Sequence, residues 1–187
     1  MFQVIIHGRG GQGAKTMAML LAQTAIESGK FAQAFPEYGP ERTGAPVRSY
    51  LRLNSNKIIT REPIMKADLV IVLDDSLLLD KEVLETLRAN PVLLINTRKN
   101  QEEILETILQ RINFDGKIRL IDAYEFIEDA KNKIHFSTPI FGKFIKLNEL
   151  ISLDDFKKVY KDKFLTKLGQ DVIEESFKVL EKGYDSL

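Results

Sequence analysis

Hydrophobic and polar positions along the chain follow two different periods, and these predict the order of its secondary structure. Compact apolar runs and strict alternation predict strands over 4–6, 31–35, 47–53, 67–73, 91–96 and 117–123. Apolar side chains spaced three and four residues apart predict helices over 14–28, 80–87, 101–112 and 123–131. From residue 138 the pattern is helical throughout, and a final helix is predicted over 167–182.

Individual segments add detail to this prediction. The stretch 67–73 is apolar throughout, which is typical of a strand buried on both faces of a sheet. The stretch 47–53 alternates, with Arg48, Tyr50 and Arg52 on one face and smaller or apolar residues on the other. Ser152 followed by Asp155 predicts a capping box at the start of a helix. The helix over 101–112 is expected to turn five apolar residues inward: Ile104, Leu105, Ile108, Leu109 and Ile112.

This alternation of strands and helices predicts the fold class. We expect an α/β protein, a single three-layer αβα sandwich with a largely parallel or mixed sheet and a helical C-terminal region. The 187 residues fit one Rossmann-like domain over 1–187, since the sequence contains no repeat, low-complexity segment or linker.

Composition narrows the function classes. The formal net charge is zero, so the overall excess of basic residues that is typical of nucleic-acid binders is absent. Residues 1–61 nevertheless hold eight Lys or Arg and three Glu, an excess of five positive charges that favours an anionic ligand there. The chain has no cysteine and two histidines, so we expect no disulfide, cluster or metal site. No apolar run approaches a membrane span or the core of a signal peptide, and a cytoplasmic location is expected.

The segment "VIIHGRGGQGAKT" carries the clearest motif. It contains Gly8, Gly10 and Gly13 as G-x-G-x-x-G between a predicted strand and a predicted helix. Such a turn allows close approach of the backbone, and the amides at the start of the helix favour an anion such as phosphate. A dinucleotide site would also require an acid at the end of the second strand, and 31–35 contains none. A Walker A loop would require lysine directly after the last glycine, where Ala14 stands instead. A tight turn without any ligand is the remaining alternative.

A second motif, "AFPEYGPERTGAPVRSYLRL", contains three prolines and two glycines in a segment that we expect to be a rigid, shaped loop. Together, the two motifs resemble the gamma subunit of 2-oxoacid:ferredoxin oxidoreductases of the pyruvate synthase type. They match in order and spacing, and the resemblance is strong over 4–53 and fair over 67–97. It is weak over 98–136 and returns in the helical tail, where the family usually carries small residues near "TPIFGKF". Here that segment holds Ile140, Phe141, Lys143 and Phe144, which leaves the details of a pocket or interface there open.

The resemblance implies a multi-subunit enzyme. Such enzymes oxidatively decarboxylate a 2-oxoacid, here pyruvate by resemblance, and form acyl-CoA, CO2 and reduced ferredoxin. Thiamine diphosphate and iron–sulfur clusters are expected in the alpha, beta and ferredoxin-like delta partner subunits only. The gamma chain is expected to contact coenzyme A, to cover the thiamine site and to be inactive alone. No nucleic-acid or membrane partner is expected.

The residues expected to bind the cofactor come from both motifs, and no catalytic or metal-binding residue is expected, because thiamine carries the chemistry. The expected set is Gly8, Arg9, Gly10, Gly11, Gln12, Gly13, Glu37, Tyr38, Arg42 and Thr43. An ion pair within the second motif, Glu41 with Arg48 or Glu37 with Arg42, is the structural alternative. Two other functions also stay open: a free-standing CoA- or nucleotide-binding regulatory module, and a small NAD(P)-dependent oxidoreductase.

Overall fold

A computed structural model describes residues 1–37, 44–148 and 150–186 of the chain. Six strands form one sheet: β1 (Phe2–Arg9), β2 (Phe31–Pro36), β3 (Pro46–Asn54), β4 (Ala67–Val72), β5 (Leu87–Asn96) and β6 (Lys117–Ile121). The α-helices are α1 (Ala14–Glu27), α2 (Lys81–Glu85), α3 (Gln101–Leu109), α4 (Glu125–Glu128), α5 (Ser137–Lys146), α6 (Leu153–Leu168) and α7 (Gln170–Asp185). A 3-10 helix spans Asp75–Leu79 between β4 and α2.

The strand order across the sheet is β2-β3-β1-β4-β5-β6. Strands β1, β4, β5 and β6 run parallel, whereas β3 is antiparallel to both of its neighbours, β1 and β2. Two apolar clusters cover the two faces of the sheet. One contains residues of α1, α5, α6 and α7, and the other contains residues of α2 and α3. The predicted α/β three-layer sandwich with a mixed sheet and a helical C-terminal region is therefore confirmed.

The connections place the glycine turn at the carboxyl ends of the parallel strands. The chain leaves β1 towards β2 through α1 on one face, whereas β4 leads to β5 through α2 on the other. The adjacent ends of β1 and β4 therefore flank a crevice, and open α/β sheets place their ligands at such a point.

Several boundaries differ from the sequence prediction. Helix α2 ends at Glu85 because Leu87 already begins β5, and the C-terminal helices are interrupted between Lys146 and Leu153. Leu109 is 53% exposed, so its predicted inward position is wrong, since α3 ends at that residue. Ser152 accepts the expected hydrogen bond from the Asp155 amide at 3.1 Å. The Asp155 carboxylate accepts a hydrogen bond at 2.8 Å from the hydroxyl of Ser28, the residue that follows α1.

Candidate functional site

The glycine turn joins β1 directly to α1. Gly11 and Gly13 have φ values of 94° and 86°, a conformation that strains residues with a side chain, so both positions favour glycine. Gly8 lies within β1, where a Cβ atom would approach Leu73 Cδ1 to 3.0 Å. The glycines therefore serve two purposes: Gly8 allows strand packing, and Gly11 and Gly13 shape the turn.

Two predicted contact residues, Arg9 and Gln12, hold the turn against the end of β4. Arg9 Nε pairs with Asp74 Oδ2 at 3.1 Å, and Gln12 Nε2 donates to the same oxygen at 3.2 Å. Arg9 Nη2 also donates to Ser76 Oγ at 2.7 Å. Partial burial raises the pKa of Asp74, but hydrogen bonds from Ser76 and Gln12 and the charge of Arg9 outweigh it and hold the pKa below its usual value. Asp74 is thus an ionised anchor for the turn.

The two sequence motifs meet at this turn. The Gly10 amide donates to the Ala45 carbonyl at 2.8 Å, and the Gly44 amide donates to the Gly10 carbonyl at 3.2 Å. Arg9 Nη1 adds a bond to the Gly44 carbonyl at 3.2 Å. The end of the second motif is therefore fixed beside the first, as the alignment of β1 with β3 requires.

Part of the second motif forms an internal cluster. Arg48 Nε pairs with Glu37 Oε2 at 3.0 Å, and the Tyr50 hydroxyl donates to the same oxygen at 2.7 Å. Burial and the Glu37 carboxylate raise the pKa of Tyr50 to about 12. Among the described residues Glu37 pairs with Arg48, whereas each of the two expected pairs, Glu41 with Arg48 and Glu37 with Arg42, includes a residue outside them. Three further predicted site residues, Tyr38, Arg42 and Thr43, lie outside the described residues, as does Glu41.

Several backbone amides at the turn lack a protein acceptor. In the described parts of the chain, the amides of Gly11, Gly13, Ala14 and Thr16 make no hydrogen bond to the protein. Helix α1 has no side-chain N-cap and no acidic residue in its first turn. Free amides and the positive end of the helix dipole make this turn suitable for an anion.

A cavity of about 560 Å³ opens beside the turn, between α1 and the C-terminal helices. Its lining is mainly apolar and aromatic, with polar groups at Thr16, Lys133, His135, Ser137 and Lys167. The volume lies within the range of small-molecule sites, which combine apolar walls with a few polar groups. Because Gly13 and Thr16 line this cavity, it is continuous with the first turn of α1.

His135 forms the contact between the cavity and the turn. A Cβ atom on Gly13 would lie 3.2 Å from His135 Cε1, so the ring covers this glycine. His135 Nδ1 accepts from the Ser137 amide at 3.2 Å, which places the proton on Nε2 when the ring is neutral. Burial lowers the pKa of His135 and favours that neutral form.

His7 lies within β1 and is a structural histidine. It is 3% exposed and its Nε2 lies 3.3 Å from Thr86 Oγ1. Burial, with a smaller contribution from the charge of Arg48, lowers its pKa to about 3. Among the described residues, no group of three or more His, Cys, Asp or Glu has an arrangement that could hold a metal ion. No helix in the same ranges is long and apolar enough to cross a membrane.

Comparison with known proteins identifies the family of this chain. The family model described as "Pyruvate ferredoxin/flavodoxin oxidoreductase" matches residues 3–186. The chain belongs to this family. Pyruvate synthase subunit PorC of Thermotoga maritima is 36% identical over 187 residues, which cover 100% of this chain and 94% of that protein. The common gamma subunit of the pyruvate/ketoisovalerate oxidoreductases of Thermococcus kodakarensis is 36% identical over 170 residues, 91% of this chain and 90% of that protein.

Solved structures of the oxidoreductase family agree with this assignment. The crystal structure of pyruvate oxidoreductase subunit PORC from Thermotoga maritima superposes with a TM-score of 0.82 at 34% identity, covering 99% of this chain and 96% of the other. The resemblance to a gamma subunit of a 2-oxoacid:ferredoxin oxidoreductase is thereby confirmed, and with it the oxidoreductase class.

Some residues of the candidate site are not marked by the sequence motifs. The sequence motifs led to the turn and its glycines, but not to Lys133, His135 and Lys167, which lie in segments where the resemblance is weak or limited to a pattern. These residues line the cavity beside the turn because the C-terminal helices pack back against α1, with contacts such as Ser28 to Asp155. No local sequence signal marks such a contact.

Proposed function

We propose that this chain is the gamma subunit of a complex with alpha, beta and ferredoxin-like delta subunits that oxidises pyruvate or a related 2-oxoacid. The complex decarboxylates the 2-oxoacid with coenzyme A and yields acyl-CoA, CO2 and reduced ferredoxin. Residues 1–187 act as one domain that covers the thiamine site and shows no turnover alone. Family membership and the names of the relatives support this role, and the lack of cysteine agrees with clusters held by partner subunits.

Within that complex, the glycine turn and the adjoining cavity contact coenzyme A. The observation that carries this proposal is the continuity between the unpartnered amides of Gly11, Gly13 and Ala14 and the apolar cavity. Coenzyme A combines phosphate groups with a base and a long, weakly polar arm. The amides at the start of α1 suit a phosphate, while the cavity suits a less polar part of the same molecule.

The lysines around the cavity supply positive charge for such a ligand. Lys133 and Lys167 line it from the segment before α5 and from the end of α6. Aromatic side chains also line the cavity, and two of them, Tyr124 and Phe136, stack on each other at 5.3 Å. Arg9 and Gln12 support the site by holding the turn to Asp74.

The topology argues against the small NAD(P)-dependent oxidoreductase. In a dinucleotide fold the second strand lies next to the first and offers an acid to the ribose. Here β3 separates β2 from β1, a displacement of roughly 10 Å at two strand spacings. Glu37, the acid that follows β2, is already bound by Arg48 and Tyr50.

Two lysines of α6 provide a matched test in the purified complex. Lys167→Ala removes a charge at the cavity, whereas Lys161→Ala removes an exposed charge of the same helix that does not line it. A charged hydrogen bond contributes about 1.5–3 kcal/mol, so Lys167→Ala is expected to raise the KM for coenzyme A at least about tenfold. Lys161→Ala is expected to leave it unchanged.

The readout is the dependence of pyruvate oxidation on coenzyme A, with the KM for pyruvate measured alongside and assembly checked by mass. Equal KM values for coenzyme A in the two variants would show that the cavity does not contact it. Binding of coenzyme A to the isolated chain by calorimetry, without any assembly with partners, would instead favour the free-standing regulatory module.

A further inference from the structure

We infer that the free edge of β2 pairs with the same edge of a second copy of this chain, joining two six-stranded sheets. Strand β2 is an edge strand of the sheet, and within residues 1–37, 44–148 and 150–186 no strand pairs with its outer side. An unpaired edge of this kind is a template for strand addition unless it is blocked. This inference is independent of the proposed contact with coenzyme A.

The direction of the hydrogen bonds between β2 and β3 determines which backbone groups the free edge of β2 presents. The Glu37 amide donates to the Arg48 carbonyl at 3.0 Å, so odd-numbered residues face β3 in this antiparallel ladder. The even-numbered residues Ala32, Ala34 and Pro36 therefore turn their backbone groups outward. Ala32 and Ala34 each present one donor and one acceptor, whereas Pro36 has no amide hydrogen and ends the donor row.

The sequence of this edge is a palindrome, Phe-Ala-Gln-Ala-Phe over 31–35. An antiparallel pair centred on Gln33 places Ala32 opposite Ala34 of the second copy, and Ala34 opposite Ala32. Each of these two pairs exchanges both of its hydrogen bonds, so four bonds form across a twofold axis. The same axis places Phe31 opposite Phe35 of the second copy. An isologous contact requires this self-complementarity.

The surroundings of the edge leave apolar surface for such a contact on both faces of the sheet. Phe31 is 43% exposed and lies on the face where Phe35 stacks on Tyr50 at 5.1 Å. On the other face, Met19 and Ile26 of α1 are 44% and 56% exposed beside Ala32 and Ala34. The small alanines leave room for the two α1 helices to approach each other over the joined strands.

The charges beside the edge also permit a second copy. The shallow groove along α1 and β2 carries one acid, Glu27, and one cation, Lys163. Because a twofold axis presents each of these to the same groove of the other copy, the charges of the two grooves cancel. Pairing with a strand of a different protein would not require a palindromic sequence.

A cysteine series tests both the contact and its register, since the chain contains no other thiol. Gln33→Cys places two thiols opposite each other at the axis, where Cα atoms are about 4.5 Å apart, within the range of a disulfide. Ala32→Cys is the matched control, because Ala32 and its own copy are offset by two residues, roughly 8 Å apart. Oxidation is expected to cross-link the first variant and not the second on a non-reducing gel.

A third variant tests the hydrogen bonds in the absence of any thiol. Ala34→Pro removes an outward amide, and with it two of the four bonds, without removing any bond to β3. In sedimentation equilibrium the full chain is expected to be a dimer, and Ala34→Pro is expected to weaken the dimer at least tenfold while the circular dichroism spectrum is unchanged. A monomeric wild-type chain, equal cross-linking of the two cysteine variants, or a dimer unaffected by Ala34→Pro would each overturn the inference.

Discussion

Replacing Gly142 by alanine is expected to destabilise the protein, although alanine is the better helix former. Gly142 lies in α5, whose residues are buried on all sides, and faces α7. A Cβ atom there would overlap the Leu180 carbonyl oxygen and would lie 2.6 Å from the Tyr184 amide nitrogen. Gly183 of α7 contacts the Pro139 backbone in the same way. Two glycines therefore let these helices touch backbone to backbone.

The magnitude follows from two opposing effects. Helix propensity favours alanine over glycine by about 1 kcal/mol at an interior position. Overpacking costs about 1–3 kcal/mol, and the upper value applies because the overlapped atoms belong to a backbone that cannot rotate away. The expected net loss in the free energy of unfolding is therefore about 2 kcal/mol. For a chain of this size that corresponds to a fall in Tm of roughly 4–8 °C.

Urea unfolding followed by circular dichroism measures the effect. Lys178→Ala changes an exposed position of α7 and serves as a control, with an expected change below about 0.5 kcal/mol. A Gly142→Ala protein as stable as the wild type, or more stable, would refute the close approach of α5 and α7. Gly183→Ala is expected to behave like Gly142→Ala because it opposes the same contact from the other helix.

Three further predictions concern stability. The pKa of His7 is about 3 in the folded state against 6.5 for the free side chain, so the unfolded chain binds more protons between these values. The stabilisation that depends on neutral His7 is present above pH 6.5 and is lost as pH falls. Between pH 7 and pH 5 the free energy of unfolding of the wild type should therefore drop by about 2 kcal/mol more than that of the His7→Gln variant. Equal pH dependence in both proteins would contradict this. Arg52→Lys should lower the free energy of unfolding by about 2 kcal/mol, because one ammonium group cannot bind both Gln33 Oε1 and the Glu62 carbonyl. Hydrogen exchange of the backbone amides around Glu62 should become faster. An unchanged exchange rate would argue against this role of Arg52. Asn100→Ala, which breaks the capping box of α3, should cost about 1 kcal/mol in urea unfolding, and a cost near zero would show that the cap is not formed.

Sequence periodicity predicted the strands well because each has a local cause. The uninterrupted apolar run of β4 and the alternation of β3 both report burial directly, and Leu51 and Leu53 are fully buried as expected. The buried Arg52 was not predicted as a core residue, since its partners, Gln33 and the Glu62 carbonyl, belong to other segments. A side chain's charge indicates exposure only when no distant group satisfies it.

In the candidate site, too, the sequence predicted features with a local cause and missed contacts between distant segments. Glycine spacing located the turn, because positive φ at Gly11 and Gly13 is a local backbone requirement. The partners of charged residues depend instead on contacts between separate segments. The sequence could not show that Glu37 pairs with Arg48, because that contact depends on the antiparallel register of β2 and β3. Nor could it place His135 over Gly13, a contact between residues more than one hundred positions apart.

The ion pair at the base of the turn explains how an acid can lie beside a site suited to anions. Asp74 alone would oppose a phosphate at the first turn of α1, since its hydrogen bonds keep it ionised. Arg9 lies 3.1 Å from it and cancels that charge, while Gln12 occupies the same carboxylate oxygen. The acid therefore orients the turn without adding net negative charge, and the helix end keeps its attraction for an anion. In the site we propose, Arg9 and Gln12 therefore act through Asp74, and the backbone amides are the groups proposed to contact the ligand.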